Sequence, residues 1–316
     1  MSISNKRRFI FWFALGALFI IFALSFLIKP VVVFLIKERI KKEWGAQSVI
    51  IKGSHLKIFY NIEFDDVQIH KQKDFDISFK ELSISFNPWL VIVGSAPQLF
   101  LNDVTLINLM IDAKPLDFKL EHGEMHVNRH KKGALSISKI QSGNWILSDI
   151  KSVVIMSNKD FIFEPLAGHI YSGLFEGNIK LKLDDVLGYE GQIKLNNLSL
   201  ADFINAFKLD DKTKVQGLMN GHLTINGRGG KLRTLNGDFS SDQQGGFVVI
   251  KDTRFLDHFA GQSNQSSVLL MESLKNYHYN TGNLRLSLDQ GVALLEINLN
   301  GETGKRNFEI RLHDFL

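Results

Sequence analysis

A glycine-rich segment at 214–241, KVQGLMNGHLTINGRGGKLRTLNGDFSS, contains the piece Gly227-Arg-Gly-Gly-Lys231, which resembles a phosphate-binding loop. Such loops need fixed spacing, because their backbone N–H groups must converge on the phosphates. Ile225 stands where the P-loop needs its first glycine, and Leu232 stands where it needs Ser or Thr. Leu232 also occupies the last glycine position of the dinucleotide fingerprint, which must open a helix. The segment therefore predicts no nucleotide site.

Glycine has another use in this segment, since it allows positive φ in tight turns and lets strands bend or bulge. Gly217, Gly221 and Gly237 are spread along alternating sequence rather than gathered at one helix start. We therefore predict two strands, 218–226 and 232–240, joined by a turn, with the glycines serving the turns and bends of the sheet.

Three histidines, His122, His126 and His130, are spaced four apart, which on a helix could hold a metal ion. Gly123 and the alternation of apolar residues beside it favour a strand instead. On a strand, histidines four apart lie too far from one another to share one ion easily. We expect a solvated strand face and no metal site.

Other kinds of catalytic chemistry find no support. The chain has no cysteine, which excludes thiol catalysis, Cys-ligated zinc, iron–sulfur clusters and disulfides. It contains neither His-Glu-x-x-His nor Gly-x-Ser-x-Gly. The acidic pairs 65–66, 184–185 and 210–211 are expected at the ends of elements, where carboxylates solvate turns. We predict no enzyme and no cofactor, and the net charge of +4 is too concentrated at the N-terminus to indicate nucleic acid.

The N-terminus carries a long apolar run. Residues 9–28, FIFWFALGALFIIFALSFLI, have no charge and as a helix would span about 30 Å, one hydrocarbon thickness. The run is long for a cleaved signal peptide, and the small-x-small site at 23–25 lies inside it. We predict a signal anchor at 9–29 after a short tail at 1–8. Its anchoring aromatic residues are Phe9, Trp12, Phe19, Phe22 and Phe26.

A juxtamembrane segment at 30–45 follows Pro30. Apolar residues fall on one helical face and Lys, Arg and Glu fall elsewhere. This pattern fits an amphipathic helix at the membrane surface or against the next domain. It fits equally a continuation of the membrane helix, kinked at Pro30. Lys and Arg counts on the two sides of the span do not fix its orientation.

From residue 48 onward, apolar and polar residues alternate, which predicts strands with one apolar and one polar face. Turn signals recur, including Ser142-Gly143-Asn144 and Asp289-Gln290-Gly291, as an antiparallel sheet requires. Short helices are expected at 87–89, at 199–207, where Ser199 and Asp202 have capping-box spacing, and at 252–260. The fold class is therefore mainly β and antiparallel, with few helices.

The apolar face of such a sheet needs a cover. A second sheet would give a closed sandwich, whereas a long curled, groove-like sheet would leave an apolar groove for an apolar ligand. Periodicity does not separate the two. The groove candidates are the inward residues of the C-terminal strands: Ile179, Leu181, Leu183, Leu223, Ile225, Leu284, Leu286, Leu288, Leu295, Ile297 and Leu299.

The order of anchor, amphipathic segment and β chain resembles the AsmA-like family of bacterial envelope proteins. Residues 77–111 resemble that family's N-terminal module. The stretch from YEGQIKLNNLSLADFINAF to the glycine pattern Gly217, Gly221, Gly227, Leu235-x-Gly237 and Gly245-Gly246 resembles its C-terminal module. The last forty residues resemble the YdbH branch, which carries a dicarboxylate-transport label. No cluster of arginines suited to gripping two carboxylates accompanies that label.

The resemblance implies an N-terminal β module at 46–187 and a C-terminal one at 188–316. It implies a single-pass protein of the bacterial inner membrane, with the tail at 1–8 in the cytoplasm and the bulk of the chain in the periplasm. The implied function is to conduct phospholipid along an apolar groove between the inner and outer membranes, with copies of itself or other envelope proteins as further partners. The alternative is a structural or regulatory envelope protein that aids outer-membrane protein assembly without conducting lipid.

Overall fold

The structure is a computed structural model, and it describes the larger part of the β region together with pieces of the N-terminal helix. The described residues are 33–34, 37–38, 41–42, 46–57, 61–72, 75–86, 101–114, 117–157, 160–183, 187–206, 208, 210–228, 231–251, 274–289 and 292–312. They form a mainly β, antiparallel fold, which confirms the predicted fold class. The chain divides into two compact units, Met1–His130 and Lys131–Leu316.

Unit 1 is an antiparallel meander in which each strand pairs with the next. Its strands are β1 (Ser48–Lys57), β2 (Asn61–Gln72), β3 (Phe75–Phe86), β4 (Leu101–Ala113) and β5 (Phe118–Val127). Its buried cluster is formed by residues of the first three strands together with Ala46, and includes Phe64, Val67 and Ile69. Val67 and Ile69 alternate as the sequence predicts, whereas Phe64 and Val67 are three residues apart. The left-handed backbone of Asp66, with a φ of 48°, lies between them where the alternation is interrupted.

Unit 2 holds the longer meander. Its strands are β6 (Lys132–Ser142), β7 (Trp145–Met156), β8 (Asp160–Ile170), β9 (Gly173–Leu183), β10 (Leu187–Ser199), β11 (Thr213–Arg228), β12 (Lys231–Ile250), β13 (Tyr277–Tyr279), β14 (Thr281–Asp289), β15 (Val292–Gly301) and β16 (Gly304–Leu312). Consecutive strands pair from β6 to β12, then β12 pairs with β14 and the order continues to β16. The short strand β13 pairs with the far half of β12.

Two-residue hairpins join many of these strands. Ser142 pairs with Trp145, Ile170 with Gly173, and Asp289 with Val292, each across two intervening residues. Gly143 and Tyr171, the first residues of two of these loops, have φ of 56° and 51°, as tight hairpin turns require. The turn predicted at Ser142-Gly143-Asn144 is confirmed in position. Gln290 and Gly291 of the second predicted turn lie outside the described residues.

One short helix, α1 (Leu200–Ala206), follows β10. The hydroxyl of Ser199 accepts a hydrogen bond of 3.2 Å from the backbone N–H of Asp202, which is the predicted N-cap. The carboxylate of Asp202 in turn accepts a bond of 2.6 Å from Ser172 Oγ in the β8–β9 turn. The helices expected at 87–89 and 252–260 lie outside the described residues.

The structure describes only part of the region to which the N-terminal predictions apply. Residues 33–34, 37–38 and 41–42 are helical, and Val33 packs on the buried cluster of unit 1 while Phe34 is exposed. In the part of the chain that the structure describes, no helix is long and apolar enough to cross a membrane. The predicted span at 9–29 and its anchor residues Phe9, Trp12, Phe19, Phe22 and Phe26 lie outside that part.

The module boundary inferred at 187/188 does not coincide with the division into units. It falls at the start of β10, which pairs with β9 along its length inside unit 2. The division into two family modules stays a prediction.

Candidate functional site

The strongest feature of unit 2 is a continuous apolar face that crosses six strands from β9 to β15. Antiparallel pairing brings the alternating apolar residues of neighbouring strands into register, one row beside another. One row runs Ile179, Gly191, Ile225, Leu235, Leu288, Ala293. The next runs Gly177, Ile193, Leu223, Gly237, Leu286, Leu295, and the third runs Phe175, Leu195, Gly221, Phe239, Leu284, Ile297. We call this surface the apolar face.

The register brings together the groove candidates whose side chains are described. Leu181 lies opposite Tyr189 in a fourth row, and Leu299 lies opposite Gly282 in a row at the other end. Leu183 belongs to β9 and pairs with Leu187. Leu288 and Leu299 are buried, at 2% and 9% exposure. The remaining described candidates are half-buried.

Glycines and large side chains alternate on this face. A Cβ added at Gly237 would meet the ring of Phe239 at 2.6 Å, and one at Gly168 would meet the ring of Phe175 at 2.8 Å. Aromatic rings therefore lie over neighbouring glycines, an arrangement that permits close packing where a sheet bends. Tyr189 covers Gly227 in the same way, and burial raises the pKa of the Tyr189 hydroxyl.

This arrangement shows how the predicted glycines are used. Gly221 and Gly237 lie inside β11 and β12 without positive φ, so they serve the close approach of neighbouring groups rather than a turn. Gly227 belongs to β11 rather than to the predicted turn, and the pairing with β12 shifts beside it. Positive φ belongs instead to Gly217, at 137°, and Gly245, at 65°. There β12 bulges, because Gly217 pairs with Gly246 while Met219 pairs with Ser241. The strands also run longer than the predicted 218–226 and 232–240.

The ring of Tyr279 seals this bulge. Tyr279 is 3% exposed, and its hydroxyl donates a 3.0 Å hydrogen bond to the carbonyl oxygen of Gln216. Burial, with a smaller contribution from the Asp242 carboxylate, raises the pKa of Tyr279 from 10.0 to about 12. Tyr279 packs with Tyr277, Ile250, Leu274 and Leu299 in a buried cluster at this end of the face.

The apolar face has little cover in the described residues. Helix α1 packs on β11 and β13 packs on β15, and the other extensive contacts between elements of unit 2 are between neighbouring strands. No second layer of described strands or helices lies over the rows of leucine and isoleucine. Five strand spacings of about 4.8 Å give the face about 24 Å across, measured along the sheet from β9 to β15.

The opposite, polar face carries paired charges. Lys194, His222, Asp238, Arg285 and Glu296 form one row across five strands and line a hollow of about 410 Å³. Arg285 Nε lies 2.9 Å from an Asp238 oxygen, and its Nη1 lies 3.7 Å from Glu296. The hydrogen bond that Arg285 donates to Asp238 and the charges of both carboxylates raise the pKa of Arg285. Arg285 therefore already forms ion pairs with two carboxylates of the chain itself.

Unit 1 contains the three histidines spaced four apart and one of the acidic pairs. His122 Nδ1 lies 2.7 Å from Asn108 Oδ1, and His126 Nδ1 lies 2.8 Å from Thr105 Oγ1, so each ring has its own partner. Within the described residues no three His, Cys, Asp or Glu side chains gather as metal ligands. The placement of the acidic pair 65–66 at an element end is wrong: both residues lie inside β2 and face His55 and Lys52 across the β1–β2 pair.

Sequence reasoning missed part of the face. Phe175, Leu195, Leu235 and Phe239 were not among the groove candidates, yet they complete its rows. The same alternation could have found them, since each lies two residues from another apolar or glycine position of its strand.

Comparison of the chain with protein-family models, with curated proteins and with solved structures found no match.

Proposed function

We propose that the apolar face of unit 2 binds the acyl chains of phospholipids, and that the protein is a periplasmic β protein anchored in the bacterial inner membrane that contributes to lipid transport between the two membranes. The resemblance of the sequence to AsmA-like proteins supports the location and the substrate class. The curled, groove-like form of the sheet and the single N-terminal span belong to this proposal.

One observation carries the proposal: six described groove candidates, Leu223, Ile225, Leu284, Leu286, Leu295 and Ile297, are half-buried on one face with no second layer over them. Apolar surface left in contact with water forgoes about 25 cal/mol per Å². A hydrocarbon ligand recovers that free energy, at about 0.8 kcal/mol for each methylene that it buries.

The dimensions of the face suit a lipid tail. A bilayer has a hydrocarbon core of about 30 Å, so one leaflet contributes about 15 Å. The face measures about 24 Å along the sheet from β9 to β15, from strand spacings of about 4.8 Å. An extended acyl chain therefore fits across several strands, and its contacts would be to aliphatic side chains that make no directional demands on it.

A pair of adjacent residues provides the test. Ile225 lies in the apolar rows, whereas Thr224 is exposed on the other side of the same strand. A photo-crosslinking amino acid placed at Ile225 of the full chain in bacterial membranes should capture phospholipid, identified by mass spectrometry. The same probe at Thr224 is the matched control, because strand and depth in the sheet are unchanged.

Equal capture at the two positions would contradict the proposal. In that case the apolar face is covered by protein, and the structural envelope role becomes the better interpretation. A crosslink from Ile225 to a protein would name that cover directly.

A further inference from the structure

Three aromatic side chains meet at one end of the unit 2 sheet. Trp145 is the first residue of β7, Tyr171 lies in the β8–β9 turn, and Phe203 belongs to α1. The ring centroids of Trp145 and Tyr171 are 6.4 Å apart, and those of Trp145 and Phe203 are 5.6 Å apart in an edge-on arrangement. We call these three residues the aromatic rim.

The aromatic rim is partly open to solvent. Trp145 is 44% exposed, while Tyr171 and Phe203 are half-buried. Helix α1 carries Leu200, Phe203 and Ile204, yet none of its residues is buried. Large apolar side chains grouped in this way on a surface mark an interaction site more often than scattered ones do.

The rim is continuous with the apolar face. Trp145 lies two residues before Leu147 on β7, so both side chains fall on the same side of the strand. Leu147 pairs with Ile170 on β8, and the apolar row of Phe175 begins on the next strand. An acyl chain entering at the rim would reach the rows of the face without crossing a polar strip.

The chemistry of the rim fits the interfacial region of a bilayer. Trp and Tyr have an apolar body and a polar tip, and they concentrate where hydrocarbon meets headgroups. The Tyr171 hydroxyl donates to the carbonyl oxygen of Asn144 at 2.9 Å, and burial raises its pKa, so the hydroxyl stays neutral. The acidic Asp202 is already bonded to Ser172. No described cluster of lysine or arginine at the rim demands an anionic membrane.

We infer that the aromatic rim docks on the surface of a phospholipid bilayer, where lipid passes between that bilayer and the apolar face. This inference rests on the proposed function and adds the place at which lipid enters or leaves. The occupant is the zwitterionic headgroup and upper acyl region of one leaflet.

Tryptophan quenching tests the docking. The chain has four tryptophans, so Trp12, Trp44 and Trp89 are changed to Phe to leave Trp145 as the sole emitter. The full chain is placed in nanodiscs. In one arm the nanodisc itself contains phosphatidylcholine with brominated acyl chains, and in the other arm the brominated lipid is in vesicles added to the nanodiscs. Quenching of Trp145 in either arm is the expected result. The control is the same background with W145F and V153W, since Val153 is 40% exposed farther along β7.

Equal quenching at the two positions, or no quenching at Trp145, overturns the inference. No quenching at Trp145 is also the result expected if the rim binds a protein partner. A second measurement does not depend on the multiple substitution. The W145S variant should capture lipid from phosphatidylcholine vesicles at Ile225 several-fold more slowly than the wild type, while capture of a monomeric short-chain phosphatidylcholine is unchanged. Equal slowing with both lipids, or with neither, also contradicts docking.

The two proposals fail in different ways. Lipid capture at Ile225 without quenching of Trp145 leaves the proposed function standing and removes the docking site. Quenching of Trp145 without capture at Ile225 leaves a membrane contact and removes lipid binding on the apolar face.

Discussion

Replacing Gly221 by alanine tests whether the apolar face depends on glycines beneath large side chains. Gly221 lies in β11 between Leu195 and Phe239, and its φ is not in the left-handed region. A Cβ there would overlap the ring of Phe239 and the backbone carbonyl oxygen of Asp238, and would lie 2.8 Å from Phe239 Cα. Since two of these contacts are with backbone, side-chain rotation alone cannot relieve them.

The expected cost follows from two opposing effects. Forcing an extra carbon into a packed site costs about 1–3 kcal/mol. Alanine also restricts the unfolded chain, which stabilises the fold by about 0.4–1 kcal/mol. The net loss for G221A is therefore about 1–2 kcal/mol. Gly188, in β10, is the control, because a Cβ there meets nothing closer than Lys182 Cβ at 3.6 Å. G188A should show only the gain.

Thermal unfolding of the full chain in detergent, followed by circular dichroism, measures both variants. At about 2–4 °C per kcal/mol for a domain of this size, G221A should melt about 2–8 °C below the wild type. G188A should melt at or slightly above it. A melting temperature for G221A equal to that of G188A would refute the packing argument.

A second pair separates a side-chain clash from a backbone clash. A Cβ at Gly237 meets only side chains, Phe239 Cε2 at 2.6 Å and Leu223 Cδ1 at 3.2 Å. Replacing the ring with the smaller leucine side chain in F239L should therefore reduce the loss of stability caused by G237A in a double-mutant cycle. The same F239L change should relieve G221A only in part, because the Asp238 carbonyl stays in place. Full rescue of G221A by F239L would show that the backbone there yields.

Further predictions concern burial, capping and charge. The pKa of Tyr279 is raised from 10.0 to about 12, so as the pH rises the Tyr279 hydroxyl of the unfolded chain loses its proton before that of the folded chain. The free energy of unfolding therefore falls between pH 10 and 12, by at most about 1.4 kcal/mol per pH unit. The melting temperature of Y279F should depend less on pH in this range. Removing the helix cap with S199A should cost about 1 kcal/mol of local stability, seen as faster hydrogen exchange in α1. L288A should cost about 2–5 kcal/mol in denaturant unfolding, because Leu288 is 2% exposed. R285Q, at an exposed ion pair, should leave the melting temperature unchanged.

The strands of this protein could be predicted from sequence because burial follows a period of two almost without interruption. In β7, Ile150, Ser152 and Val154 are buried while the residues between them are exposed or half-buried. Hairpin turns were equally accessible, since Ser-Gly-Asn and Asp-Gln-Gly between apolar runs have few other uses.

The register of strand pairing could not be predicted, because the position of a bulge depends on residues of the neighbouring strand and not on local sequence alone. Asp149, Asn197 and His122 all have positive φ within strands, and the pairing shifts beside each of them. At His122 the bulge leaves two successive residues exposed, which a strict alternation forbids. Asn and Asp tolerate this conformation, but they occur as often in ordinary turns.

The candidate site was half predictable for the same reason. Alternation identifies Ile225 and Leu286 as members of one face, but it cannot state which glycine of a neighbouring strand lies beside each. Glycine gives one sequence signal for a turn, for a bulge and for the close approach of a ring. Only the register separates Gly217, at a bulge, from Gly237, under Phe239.

The two faces of unit 2 present opposite free-energy problems. On the polar face, Arg285 is satisfied by Asp238 and Glu296, and solvent satisfies the rest, so that face needs no ligand. On the apolar face, half-buried leucines and isoleucines cross six strands with no described layer above them. Covering such a face stabilises a protein by about 25 cal/mol per Å² of apolar surface. In the proposed function, the acyl chains of a phospholipid provide that cover. Rows of aliphatic side chains without interspersed hydrogen-bonding groups select hydrocarbon over a polypeptide backbone, whose amide groups would lose water without gaining partners.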